Sequence, residues 1–224
     1  MLRTVLDRKL GELRGAILLM GESVDVAIGR AVDALARGDR AAADAVISGD
    51  DVIDRECTAI EEMGAHLITL QQPALGDLRA VLAALAIAEE LERIADHAEG
   101  IAQLVARLPS TPSRETLLGL NGLAALARVQ LQGALDAYRA GDVTRARTVW
   151  SNDDAVDNLH NRLVQSLLIS MKGDQDGLTT DTYLLWVAHN LERIGDRAGN
   201  ICERVVFIAT GERRITVRPV VMTG

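Results

Sequence analysis

At 224 residues and 24.1 kDa the chain is long enough for one domain, or two small ones, with a substantial core. Hydrophobic residues make up 48% but aromatics only 2%, and an interior of Ala, Leu, Val and Ile suits closely packed helices better than a β-sandwich. A formal charge of −8 excludes the basic footprint of a nucleic-acid binder and leaves a basic protein partner or a divalent metal as natural company.

From Leu6 an apolar stripe runs Leu6, Leu10, Leu13, Ile17, Met20, Val24, Ala27, Ala31 and Leu35, in steps that mark one face of a long helix. Gly11, Gly15, Gly21 and Gly29 are dispersed along it, which suggests close helix packing. Arg37-Gly38-Asp39 supplies a stop and a new N-cap. A second helix follows to about Leu70, broken by Gln72-Pro73, with Pro73 placed to start a third. That third helix carries Ala84, Ile87, Leu91, Ile94, Ala98, Ile101, Val105 and Leu108. Pro109-Ser110-Thr111-Pro112 is the clearest linker.

The second half repeats this plan. Residues 31–54 align with residues 134–157 at a constant offset of 103 (134 − 31), matching Gly38/Gly141, Asp39/Asp142, Asp50/Asp153 and Asp54/Asp157. The last helix aligns with the third at an offset of 100 (192 − 92), the shortening falling near the turn at Lys172–Gly177. Its seam is Leu184, Val187, Leu191, Ile194, Ala198, Ile201, Val205 and Ile208. The economical architecture is all-α: two tandem three-helix bundles related by pseudo-two-fold symmetry. Residues 1–108 form the first bundle, 109–112 the linker, 113–211 the second bundle and 212–224 a C-terminal tail.

The chemistry lies in a repeated acidic phrase, Leu-Glu-Arg-Ile-x-Asp, at Leu91–Asp96 and again at Leu191–Asp196. Each copy has an earlier acidic partner, Asp50 with Asp54 and Asp153 with Asp157. Carboxylates four residues apart lie one above the other on a helix and repel by roughly 0.2–0.5 kcal/mol per pair. Acids beside an apolar seam are commonly a solvated face, and Arg93 and Arg193 stand next to them. Recurrence of all four pairs at matched places argues instead for two cation shelves at bundle edges, Asp50, Asp54, Glu92 and Asp96 in one, and Asp153, Asp157, Glu192 and Asp196 in the other. An oxygen donor set suits Mg²⁺, Mn²⁺, Ca²⁺ or carboxylate-bridged iron; zinc normally recruits His or Cys. His189 precedes Glu192 by one turn and could contribute, and the two copies differ where Glu89 and Glu99 face His189 and Gly199.

Little else points to catalysis. A catalytic di-iron bundle uses paired Glu-x-x-His motifs, and Asp157-x-x-His160 is the one acid of that spacing here. Phosphate-binding glycine loops, a nucleophile elbow and His-Glu-x-x-His are all missing from the sequence. Cys57 and Cys202 read as small buried hydrophobes. The opening Met1–Thr4 runs into a charged amphipathic helix, and the apolar runs are shorter than a membrane span, so a cytoplasmic location is expected.

The duplicated plan, both Leu-Glu-Arg-Ile-x-Asp phrases and Gln72-Pro73-x-x-x-Asp77-Leu78-Arg79 together resemble the PhoU family, accessory regulators of the phosphate-specific transport system. The resemblance covers the chain to about Gly211. It implies multinuclear iron or zinc clusters on the eight carboxylates named above, and a homodimer. It further implies a negative regulator of phosphate uptake and phosphate-starvation signalling, contacting a sensor histidine kinase and the ATPase subunit of the phosphate ABC transporter, peripheral to the membrane through those partners alone. Two other readings stand beside it: a metal-free helical scaffold, and a carboxylate-bridged metalloenzyme.

Overall fold

A computed structural model gives the structure for residues 2–109, 112–152, 154–173 and 177–215. The described residues form seven helical segments and no strand: α1 (Leu2–Arg37), α2 (Arg40–Gln71), α3 (Leu75–Val105), α4 (Arg114–Ala140), α5 (Val143–Ser151), α6 (Asp154–Gly173) and α7 (Leu178–Thr210). Among them no helix is long and apolar enough to cross a membrane. The C-terminal tail beyond Ile215 and Asp153 lie outside the described residues.

The same local chemistry shapes both halves. Gly38 and Gly141 each adopt the left-handed conformation, at φ +63° and +64°, which ends a helix without a Cβ penalty. The next residues, Asp39 and Asp142, each accept a hydrogen bond from a backbone N–H three residues on, at 3.0 Å, and so cap α2 and α5. One expected helix is interrupted. In the first half α2 runs straight through Ser48-Gly49, whose serine hydroxyl donates to the carbonyl four residues back. In the second half Ser151 donates to Thr148, three residues back, and the Asn152 N–H also bonds three back, to Val149. The last turn of α5 therefore tightens and the helix stops. At the first half's other corner, Gln72 takes the left-handed conformation at φ 44°, and α3 begins at Leu75 rather than at Pro73.

The seams that the periodicity marks become the core. Ile87, Leu91, Ile94, Ala98 and Ile101 of α3, and Val187, Leu191, Ile194, Ala198 and Ile201 of α7, are fully buried. Burying each large aliphatic side chain contributes about 1.5–3 kcal/mol. α1, α2 and α3 pack as one bundle, α4 with α5, α6 and α7 as the other, and the two meet along α3/α7 and α1/α4. Close approach needs glycine at some of these crossings. A Cβ on Gly21 would lie 2.6 Å from Leu135 and one on Gly64 2.5 Å from Leu85, whereas Gly11 and Gly15 face open space and serve no packing role.

The pseudo-two-fold relation governs the seam between bundles. Glu90, 6% exposed, accepts hydrogen bonds from Arg197 at 3.3 Å and Asn200 at 3.1 Å. At the offset of 100 (190 − 90) the mates of these residues are Asn190, His97 and Gly100. They too meet: His97 Nδ1 lies 2.9 Å from Asn190 Oδ1, and Asn190 packs on Gly100. The charged version of the contact lies on one side of the axis and the neutral version on the other. Between α1 and α4 Arg128 donates two 2.8 Å hydrogen bonds to Asp25, and those two positions are themselves equivalent (128 − 25 = 103). The paired guanidinium holds the Asp25 carboxyl below its ordinary pKa.

Candidate functional site

On the first edge, α2 and α3 form an open groove of about 520 Å³. Asp54, Cys57, Thr58 and Glu61 of α2 face Glu89, Glu92, Arg93 and Asp96 of α3 across it. The i, i+3 and i+4 spacing puts each set on one helix face, and the buried Ile53 and Ile60 anchor the α2 face to the core. Burial, reinforced by the like charges of Asp54, Glu99, Asp96 and Glu92, pushes the Asp50 carboxyl up to about 6. Glu92 and Asp96 are raised as well, first by burial and then by their acidic neighbours. So three of the residues expected for the first shelf, Asp50, Glu92 and Asp96, share an environment that penalises their ionised forms, and the Asp54 carboxylate is one of the like charges that raise them. Cys57 is half-buried on the groove wall rather than in the core, and burial with the acids around it keeps its thiol protonated, up to about 11. Glu89, Glu99 and Glu61 add carboxylates that the paired motifs do not mark.

On the second edge Asp157 of α6 meets Glu192 and Asp196 of α7, with one carboxylate oxygen from each lying within 4.8 Å of the others. Asp153, the fourth expected member, lies outside the described residues. The surroundings differ from the first shelf. His189 Nδ1 is 3.7 Å from Glu192 Oε2. Gly199 stands where the first copy has Glu99, and a methyl there would sit 3.7 Å from Trp150 Cδ1, so an indole wall of α5 borders this shelf. Glu192 Oε2 is buried without a hydrogen bond. That buried oxygen has ion-pair company instead, Arg193 Nε at 3.4 Å and His189 Nδ1, and with two further carboxylates beside it the acceptor set is one that a divalent cation fits. Among the described residues Asp157, Glu192 and Asp196 are the set brought this close, while Asp50, Asp54, Glu92 and Asp96 of the first edge are spread more widely along their open groove. The seam residues Glu90, Arg197, Asn200 and Asn190 could have been found only by comparing substitutions between the two copies.

This geometry can be set beside known proteins. The PhoU domain model matches residues 17–105 and again residues 120–205, one match per bundle. The chain belongs to the PhoU family. It is 37% identical over 212 residues to a phosphate-specific transport system accessory protein PhoU homolog of Caulobacter vibrioides, covering 94% of this chain and 92% of that one. The homolog of Clostridium acetobutylicum is 33% identical over 214 residues, covering 95% and 98%. The crystal structure of the phosphate transport system regulatory protein PhoU from Streptococcus pneumoniae superposes with a TM-score of 0.88 at 31% identity, covering 94% of this chain and all of that one. PhoU from Pseudomonas aeruginosa gives 0.86 at 29% identity, covering 92% and 99%. Both PhoU repeats contain one acidic shelf, so the shelves fall within the family's fold rather than in an appended segment.

Proposed function

We propose that this PhoU-family protein is an accessory regulator of phosphate-specific transport that represses phosphate uptake and phosphate-starvation signalling. It is not an enzyme: its relatives are named accessory and regulatory proteins. In this reading it works in the cytoplasm as a homodimeric adaptor between the phosphate ABC transporter's ATPase subunit and a sensor histidine kinase. The observation that carries the reading is the match of both PhoU repeats over nearly the whole chain.

Metal is part of the proposal. Asp50, Asp54, Glu92 and Asp96 would hold cations on one edge, and Asp157, Glu192 and Asp196, with Asp153, on the other. A bound iron, zinc, manganese, magnesium or calcium ion supplies positive charge, and the residues it would neutralise lie on different helices, α2 with α3 and α6 with α7. Charge relief is what the raised carboxyls of the first shelf call for. Deleting the gene tests the pathway: phosphate uptake in phosphate-replete medium should become de-repressed, and unchanged uptake would refute the regulatory role. Elemental analysis of the purified protein tests the metal, and metal-free protein even after reconstitution would leave a helical scaffold without ions.

A further inference from the structure

Arg93 and Arg193 occupy the same place in the two copies of the acidic phrase, yet they point to different partners. Arg93 reaches back along α3, its Nη2 2.7 Å from Glu89 and its Nη1 3.8 Å from Glu90. An arginine four residues after a glutamate on a helix finds it as a natural ion-pair partner. In the second copy those two positions are His189 and Asn190, so that partner is gone. Arg193 turns forward instead. Its Nη1 donates to Asp196 Oδ2 at 3.0 Å and its Nε lies 3.4 Å from Glu192 Oε2. A guanidinium therefore already rests on two carboxylates of the second shelf, while its twin in the first copy, though it lines the first groove, spends its direct ion pairs on Glu89 and Glu90.

We propose that Arg193 is a built-in counter-cation of the second shelf, displaced when a divalent cation binds there, and that residue 89 or 189 decides whether the arginine of each copy lies on its shelf. This rests on the cation-binding reading of the shelves and adds that they fill in order. The first shelf takes a divalent ion at low concentration. The second takes one only at a concentration high enough to push Arg193 off Glu192 and Asp196. The protein thereby reads two ranges of cation concentration with one duplicated motif, and a single exchange, glutamate for histidine one turn upstream, creates the difference.

The test uses the full chain and Mn²⁺, at low salt so that ion pairs are not screened. Calorimetry counts the binding classes, and tryptophan fluorescence assigns one of them. Trp150 borders the second shelf, and a Trp186→Phe background leaves it as the sole indole of the two in the chain. Two classes are expected, with quenching of Trp150 following the weaker one. Arg193→Gln should tighten that class by about three- to tenfold, the range of a charge-assisted contact discounted for an arginine that is nearly half exposed. His189→Glu should act in the same direction by giving Arg193 its acid back. If it works through the arginine, the double variant should gain nothing over Arg193→Gln alone. Glu89→His should weaken the tighter class. Two-class binding in which Arg193→Gln leaves the Trp150-reported class unchanged or weaker would overturn this inference and spare the cation reading. Absence of any Mn²⁺ binding would overturn both.

Discussion

Asp50→Asn should stabilise the metal-free protein, and by an amount that depends on pH. The fold lifts the Asp50 carboxyl from 3.8 to about 6, because burial and four neighbouring acids disfavour its charge. At about 1.36 kcal/mol per pKa unit this sets a ceiling of about 3 kcal/mol. Asp50 is only partly buried, so solvent screening brings the expected effect down to about 1 kcal/mol. The sign follows from where the protons sit. Below about pH 4 both folded and unfolded chains carry the neutral acid, and asparagine changes little. Between about pH 4 and the folded value of about 6 the unfolded chain releases its proton first, so the wild type loses stability as pH rises. Above that the full penalty is present, and the variant escapes it. Thermal melts followed by circular dichroism in EDTA should show Asp50→Asn melting about 2–4 °C above wild type at neutral pH and level with it in acid. Glu92 and Asp96 are raised for the same reason and steepen the wild-type trend. Saturating divalent cation should reverse the order, because the wild type then gains the binding energy. A variant that melts at or below wild type at neutral pH without metal would refute the reasoning.

Other consequences can be measured on the same purified protein. Asp54→Asn with Asp96→Asn should remove metal from the first half alone, so that elemental analysis finds the second shelf's share retained. Arg197→Met strips the closest cation from the buried Glu90 and should cost about 2–3 kcal/mol in urea denaturation, and adding Glu90→Gln should recover much of the loss. Gly64→Val must displace Leu85, since even a Cβ would come within 2.5 Å of it, at a cost of about 1–3 kcal/mol. Gly11→Ala, in open space within α1, should instead stabilise by about 0.5–1 kcal/mol through helix propensity.

Much of this protein was legible because its information is periodic. Residues spaced three and four apart along α1, α3 and α7 had to share a buried face, and they do, from Leu13 and Ile17 to Ile94 and Ile201. The four-residue spacing of Asp50 with Asp54 and of Glu92 with Asp96 likewise fixed which carboxylates could share a shelf. What stayed hidden depends on choices between competing partners. Whether Ser151 donates three or four residues back, a choice that accompanies the end of α5, is a matter of local geometry that Ser48 resolves the other way. Cys57 reads as a core residue from its spacing, yet α2 turns it onto the groove. Contacts between bundles, such as Glu90 with Arg197 and Asn200, cross more than a hundred residues and leave no local signature.

The duplication supplies the missing signal once its exceptions are examined in place of its matches. Equivalent residues on a pseudo-two-fold axis meet each other's mates, so a substitution in one copy changes contacts in both. Glu90 and Asn190 show this: the glutamate anchors Arg197 and Asn200 of the other bundle, while the asparagine anchors His97. Each anchor lies next to a shelf, Glu90 between Glu89 and Glu92, Asn190 between His189 and Glu192. The same two positions that distinguish the inter-bundle contacts therefore also decide where Arg93 and Arg193 rest. Charge placed at residues 89 and 90 takes up the direct ion pairs of Arg93 and ties α3 to α7. Its loss at residues 189 and 190 leaves the second arginine on its own carboxylates. A motif written twice has thus acquired two different electrostatic settings on two copies of one helical plan.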